Sequence, residues 1–196
     1  MGGKLLENKK QKMSKLYDAA YDLFTKKGVH NTIVDEIVKN AGVAKGTFYL
    51  YCKDKYDLVD KVIIRKTSAM LSGAMEAVNE REKTQSYTFQ QNVIFFADYL
   101  INFFREDTKL LELIFKNLSL SLFEKAMSCE EMAAAREAFI KSFVLGGGRS
   151  DVAGKRLYII VSMVGSVCYN SIILKGPYEF DDIKEELYQS VERILA

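Results

Sequence analysis

The stretch from Thr32 to Leu58, TIVDEIVKNAGVAKGTFYLYCKDKYDL, reads as a helix, a tight turn and a second short helix, and it constrains the fold more than any other part of the chain. Ile33, Ile37, Val38 and Ala41 recur at helical spacing. Thr32, with Asp35 three residues on, can accept a backbone N–H as the N-cap. Asn40-Ala41-Gly42 stops this helix, since Gly42 can turn the backbone through positive φ at little steric cost. Val43 is then placed to fill the angle between the helices. The second helix is expected from about Ala44. Its Phe48 and Cys52, one turn apart, face inward, leaving Lys45, Gly46, Thr47, Tyr49 and Tyr51 on the outer side or at the exposed N-terminus. That outer set suits a major groove.

The rest of the chain extends the helical reading. There is one proline in 196 residues, apolar residues repeat at three- and four-residue spacing, and no alternating strand runs with hairpin turns occur. With 48% hydrophobic residues the chain can bury a substantial core. The net charge of +2 hardly advertises a nucleic-acid protein, but its distribution does. Residues 1–66 carry 14 Lys and Arg against 8 Asp and Glu, a net +6, while residues 67–196 carry 14 against 18, a net −4. The basic end is also the end with the helix-turn-helix, as phosphate binding requires, because only charges near a duplex displace its counterions. A solvated basic face is the plainer alternative.

The segment AGVAKGTFYLYCKDKYDL resembles the DNA-binding signature of TetR-family transcriptional regulators, with a small-Gly-aliphatic turn, an aromatic-rich recognition helix and a Lys at the start of the next helix. The likeness extends back through AAYDLFTKKGVHNT, over roughly the first quarter to third of the chain. Cys52 stands where the family usually has Phe or another large apolar residue, and Tyr51 where relatives often have His. The resemblance implies an all-α chain, with an N-terminal three-helix DNA-binding domain over residues 1–56 and a helical ligand-binding and dimerisation domain over residues 57–196. It also implies a homodimeric repressor that binds a palindromic double-stranded operator and is released by a small, largely apolar or aromatic effector. In that reading Lys45, Gly46 and Thr47 approach base edges, and Thr32, Tyr49, Tyr51 and Lys55 fix the helix against phosphates.

In chain order, the first ten or so residues form a polar tail whose Lys4, Lys9 and Lys10, with Lys12, either reach phosphates or stay solvated. A helix follows from about Lys12 to Lys27, with Leu16, Ala19, Ala20, Leu23 and Phe24 on one face and Gly28 closing it. Asp54 is the expected N-cap of a longer helix running through Leu58, Val62, Ile63 and Met70 to about Val78. Lys55 in its first turn makes a phosphate clamp with the unpaired N–H groups there. Such a connector can transmit a rotation.

After a polar loop, Asn79 to Ser86, aromatic and leucine-rich helices fill the middle of the chain. The resemblance makes this the ligand chamber. Phe96, Tyr99, Phe103, Phe115, Phe123, Met127 and Phe143 are candidates to line an apolar cavity, with a carboxylate such as Glu112 orienting a guest, although plain core is the alternative for each. Gly146-Gly147-Gly148 lacks the strand and Lys-Ser/Thr of a phosphate loop and reads as a connector. Leu157 to Leu174 is free of charge for 18 residues, yet its Ser162, Ser166, Tyr169, Asn170 and Ser171 fit a buried helix of a soluble protein better than a membrane span. Asp151 is its expected cap. A last helix opens at Asp181 or Asp182. These two terminal helices suit a subunit interface through Ser162, Gly165, Tyr169, Leu187 and Val191, as the four-helix dimers of the resembled family imply; packing within the chain is the alternative.

Other chemistries find little support. Cys52, Cys129 and Cys168 lie far apart and match neither a metal clip nor a disulfide framework, so no metal and no cofactor is expected. An enzyme with a cysteine nucleophile is disfavoured because the one imidazole, His30, lies in the presumed DNA module. MGGKLLENKKQK lacks the apolar core of a signal peptide, and a cytoplasmic protein is expected. A helical interaction adaptor with a structural helix-turn-helix, or an activator, remains the rival reading.

Overall fold

The computed structural model describes residues 2–196, with the backbone alone for residues 2–6 and for Leu120. The Lys4 side chain, expected near phosphates, therefore lies outside the described residues, as does that of Leu120. Among the described residues ten α-helices follow in order: α1 Gly2–Lys27, α2 Val34–Ala41, α3 Lys45–Tyr51, α4 Lys55–Glu82, α5 Phe89–Glu106, α6 Thr108–Lys116, α7 Leu120–Met127, α8 Glu130–Leu145, α9 Ser150–Cys168 and α10 Phe180–Leu195. A π-helical turn, Tyr169–Leu174, extends α9. No strand occurs among the described residues. The chain is all-α, with an N-terminal three-helix helix-turn-helix followed by a helical bundle.

It forms two compact units, one ending at Lys66 and the other beginning at Thr67. The first unit runs past the expected boundary at 56/57 because the start of α4 is tied into it. Lys61 bonds to the end of α3, and Arg65 reaches Ser14 and Asp18 on α1. Lys66 lies 3.7 Å over the Tyr21 ring.

In this unit Leu16, Ala20, Phe24, Ile37, Phe48 and Leu58 are buried, the 3.6-residue pattern of the sequence turned inward. Each large side chain so buried contributes roughly 1.5–3 kcal/mol against exposure. Gly28 closes α1 at φ 83°, its N–H donating to the Phe24 carbonyl. At the other end α1 starts at Gly2, not near Lys12. From Lys4 the run before Lys12 is mostly Lys, Leu, Glu and Gln, all good helix formers, so the helix continues where a tail was expected.

The second unit holds two apolar clusters. Ile101, Leu111, Cys168, Phe180 and Leu187 form one, and Ile160, Val191 and Leu195 form the other. Leu187 and Val191, expected at a subunit interface, are thus in the chain's own core, because the apolar stripe of α10 is used up against α5 and α9. Three of its helices, α5, α6 and α7, start on short polar side chains that cap them. Thr88 and Gln91 form a reciprocal capping box at α5, and Asp107 and Ser119 accept from Leu110 N–H and Leu122 N–H.

Two expectations for α9 fail. Asp151 is not its cap; the helix begins at Ser150 and Asp151 pairs with Arg149 instead. Nor is the helix mostly buried. Ser150–Leu174 is long and apolar enough to cross a membrane, containing an 18-residue window of mean hydropathy 1.9, yet only 17% of that window is buried. Tyr158, Ile159, Val161 and Leu174 are exposed.

Candidate nucleic-acid interface

The geometry of the first unit begins at Gly42, which adopts the left-handed conformation at φ 63°. Its N–H donates to the Lys39 carbonyl and that of Val43 to the Val38 carbonyl, closing α2 before the chain enters α3. α3 is only seven residues long and needs outside support. One support is Phe48, fully buried, with Cys52 beside it at the helix end. The other is Lys61 of α4, whose ammonium group donates to the carbonyl of Tyr51 at 2.5 Å and to the Asp57 carboxylate at 2.8 Å. A cation thus meets the negative end of α3. Burial lowers the Lys61 pKa, but the Asp57 hydrogen bond together with the charges of Cys52, Asp57 and Tyr17 outweighs it, and the net shift is upward.

The N-terminus of α4 is built in the same way. Asp54 accepts from the N–H groups of Tyr56 and Asp57, both at 2.8 Å, which makes it the N-cap anticipated from the sequence. Lys55 turns back and donates to the carbonyls of His30 at 2.6 Å and Thr32 at 2.9 Å. Two of its three donors are therefore engaged inside the module, and the ammonium group lies 5.4 Å from the centre of the Tyr56 ring.

Thr32 needs correcting. It is not the N-cap of α2, which begins at Val34 after Ile33. Its hydroxyl donates to the Gly28 carbonyl at 2.8 Å and the residue is fully buried, so it braces the α1–α2 link and presents no group to a phosphate. The start of α2 is instead served by Glu36, which accepts from Ile33 N–H and pairs with Lys27. That hydrogen bond from Lys27 holds the Glu36 carboxyl below its usual range.

What remains outside is the face of α3. Lys45 and Gly46 are exposed, Thr47 and Tyr51 half-buried, and Tyr49 is 55% exposed with its ring edge-on to Phe48 at 5.1 Å. A Cβ at Gly46 would meet nothing within 4 Å, so the fold itself does not demand glycine there. Lys9 of α1 lies 5.5 Å over the ring of Tyr51. Three features escaped the sequence reading. Leu50 is 77% exposed beside Tyr49, Lys61 caps α3, and Asp35 on α2 pairs with Lys45 at 2.6 Å. Only the Asp57–Lys61 spacing of four residues was a signal in the chain itself.

In the second unit the candidate ligand residues form local pairs. Phe115 stacks on Tyr169 with centroids 4.3 Å apart and planes at 11°. Phe143 is buried against Phe89 and Phe139, with the Arg156 guanidinium 5.2 Å from its ring. Phe96, Tyr99, Phe103 and Met127 are half-buried, Phe123 is exposed, and Glu112 pairs with Lys116 at 2.5 Å. An open groove of about 660 Å³ in this unit is lined by Ser72, Met75, Glu76, Asn79, Glu80, Lys83, Glu130, Glu131 and Ala134, none of them a candidate. Of the interface candidates, Ser162 is exposed, while Gly165 lies against the ring of Phe115, 3.8 Å from where a Cβ would stand. Among the described residues no group of three or more His, Cys, Asp or Glu could hold a metal ion.

Residues 16–62 match the model of the bacterial regulatory proteins, tetR family. The chain is 33% identical over 76 residues to the fatty acid metabolism regulator protein of Bacillus subtilis, which is 39% of each chain. It is 29% identical over 105 residues to an HTH-type transcriptional regulator of Staphylococcus aureus, 54% of each. These matches span about two fifths to one half of the relatives' length. Solved structures extend the likeness in fold to almost the whole chain. The fatty acid degradation regulator FadR of Bacillus halodurans superposes with a TM-score of 0.69 at 18% identity, over 92% of this chain and 94% of that one. FadR of Bacillus subtilis, in complex with stearoyl-CoA, superposes with a TM-score of 0.67 at 18% identity, over 91% and 96%. The likeness to the TetR family thus rests on residues 16–62, and the likeness in fold extends over more than nine tenths of the chain.

Proposed function

We propose that this chain, whose reading head is a TetR-family helix-turn-helix, is a cytoplasmic homodimeric repressor that leaves a palindromic operator when an apolar or aromatic effector binds its second unit. The observation that carries the DNA reading is the outward set on α3, Lys45, Gly46, Thr47 and Tyr49, held between a buried Phe48 and a lysine-capped C-terminus. A seven-residue helix so braced keeps its donors at fixed spacing, which base-edge recognition needs. Lys45, Gly46 and Thr47 approach bases. Tyr49, Tyr51, the third donor of Lys55 and the lysines of α1 contact phosphates and set register.

Pairing of two copies is supported by the exposed face of α9, where Tyr158, Ile159, Val161 and Ser162 lie in an apolar helix that is mostly uncovered. Serine and asparagine within it favour a protein partner over lipid. Two reading heads in one dimer double the contacts and require half-sites one or more helical turns apart.

The effector class follows from the aromatic content of α5 to α8 and from the neighbour solved with stearoyl-CoA. A long-chain acyl group is the first candidate. A guest that binds better to a dimer with misplaced heads weakens operator affinity by the same coupling. The relatives are transcriptional regulators, and a cysteine-based enzyme is set aside.

Electrophoretic mobility shift with duplexes from the region upstream of the protein's own gene tests the reading. A sequence-dependent shift, reversed by long-chain acyl-CoA, is expected. A protein that shifts no duplex is an adaptor, and one that shifts only with the acyl-CoA present is not a repressor released by it.

A further inference from the structure

Asp35 and Lys45 form an ion pair at 2.6 Å that links the first turn of α2 to the first residue of α3. Their side chains are 62% and 56% exposed. An exposed pair of this kind contributes little to stability beyond the first-turn preference of α2 for a carboxylate. It is also badly placed for simple phosphate attraction, since a carboxylate on the face that approaches a duplex is repelled by it. A carboxylate only accepts hydrogen bonds, and the donors in the major groove are the exocyclic amino groups of cytosine and adenine.

The order of groups along a base-pair edge decides between them. A G·C pair presents two acceptors, guanine N7 and O6, and then the cytosine N4 donor. O6 and N4 are hydrogen-bonded to each other and so lie about 3 Å apart. A donor and an acceptor themselves in hydrogen-bond contact match that edge, with the ammonium on N7 and O6 and the carboxylate on N4. An A·T pair offers the ammonium only one purine acceptor, adenine N7, beside the N6 donor, whereas G·C offers two, N7 and O6, before the N4 donor, so the pair is best satisfied on G·C.

Resting on the DNA-binding reading above, we propose that Asp35 and Lys45 act as one unit that reads a G·C base pair in each half-site, Lys45 donating to guanine and Asp35 accepting from cytosine N4. Asp35 is thereby a specificity residue on α2, outside the recognition helix. It also orients Lys45 before DNA arrives, and the pair is kept rather than broken on binding.

The test is selection from a random duplex pool with full-length wild type, Asp35→Asn and Lys45→Met, each checked by circular dichroism for an intact thermal transition. Wild type is expected to enrich one fixed G·C pair per half-site, and to lose about tenfold or more in affinity when it is changed to A·T. Asp35→Asn should lose that preference or move it to A·T, because a carboxamide pairs with adenine N6 and N7. Lys45→Met should lose it too. A wild type that enriches a sequence whose G·C preference survives in Asp35→Asn, with affinity raised on all duplexes, overturns this proposal alone and makes the carboxylate a mere repeller. A wild type that enriches no sequence overturns the DNA-binding reading and this proposal with it.

Discussion

Lys55 reaches back over 23 residues to donate to the carbonyl oxygen of Thr32 at 2.9 Å. Together with its bond to His30, this closes the three-helix module at the point where α4 departs. In the proposed reading the third donor of the same ammonium group meets a phosphate, so fold and binding would share a residue.

Lys55→Ala is therefore expected to act twice. Loss of the two internal bonds should lower module stability by about 1 kcal/mol, given their partial exposure. Loss of the phosphate contact should flatten the plot of log affinity against log salt by about one unit. Calorimetry and fluorescence anisotropy separate the effects; a lowered melting temperature with an unchanged salt slope assigns Lys55 to the fold alone.

A methyl group at Gly73 would stand 2.6 Å from the hydroxyl of Tyr99, the end of a movable side chain. Gly73→Ala should therefore push Tyr99 aside with little loss of stability. If Tyr99 lines the effector site, acyl-CoA titration by calorimetry should show weaker binding for this variant while operator affinity without effector is kept.

Exposed and buried residues of the last two helices should part company. Val161→Glu, on the open face of α9, should give monomers in sedimentation velocity with the thermal transition of the single chain retained. Leu187→Ala, inside the core cluster, should instead cost roughly 2–5 kcal/mol in urea unfolding. Equal dimer content in Val161→Glu and wild type would remove this face from the interface.

Asp98 joins α5 to α10. Burial raises the pKa of its carboxyl, but hydrogen bonds from Tyr188, Lys184 and Asn102 outweigh this and hold it below the usual range. A depressed carboxylate contributes stability that is fully present above its unfolded pKa, about 3.9, and is lost as pH falls through the folded value. Urea midpoints should stay flat for this group above about pH 5 and fall below about pH 4. Asp98→Asn should be less stable at neutral pH and show a shallower acid limb.

Thiol labelling should follow burial. Cys168 is buried and its thiol is pushed up to about 12, and burial is also the chief cause that raises Cys52. Cys129 is half-buried beside the Ser68 hydroxyl. Native protein treated with iodoacetamide at pH 8 should carry the label at Cys129 first, as read by peptide mass spectrometry.

Much of the first unit could be read from the chain. Gly42 turns where a positive φ was needed, Phe48 faces inward, Asp54 caps α4 and the outer side of α3 bears the expected residues. These are local matters, set by spacing and by the conformational freedom of one glycine. The roles of Thr32, Lys61 and Asp35 were not legible, because each depends on an atom of another element. Thr32 meets the Gly28 carbonyl, Lys61 the Tyr51 carbonyl and Asp35 the Lys45 ammonium.

In the second unit the helices were visible and their partners were not. Period 3.6 tells that Leu187 and Val191 share a face with Ile183, but not whether that face meets α5 and α9 or another copy of the chain. Likewise the apolar run in α9 carries no mark of which side is covered. Short-range geometry follows from neighbouring residues. Which apolar face is spent within the chain, and which is left over, depends on how all the helices share a limited buried volume, and no single segment encodes that.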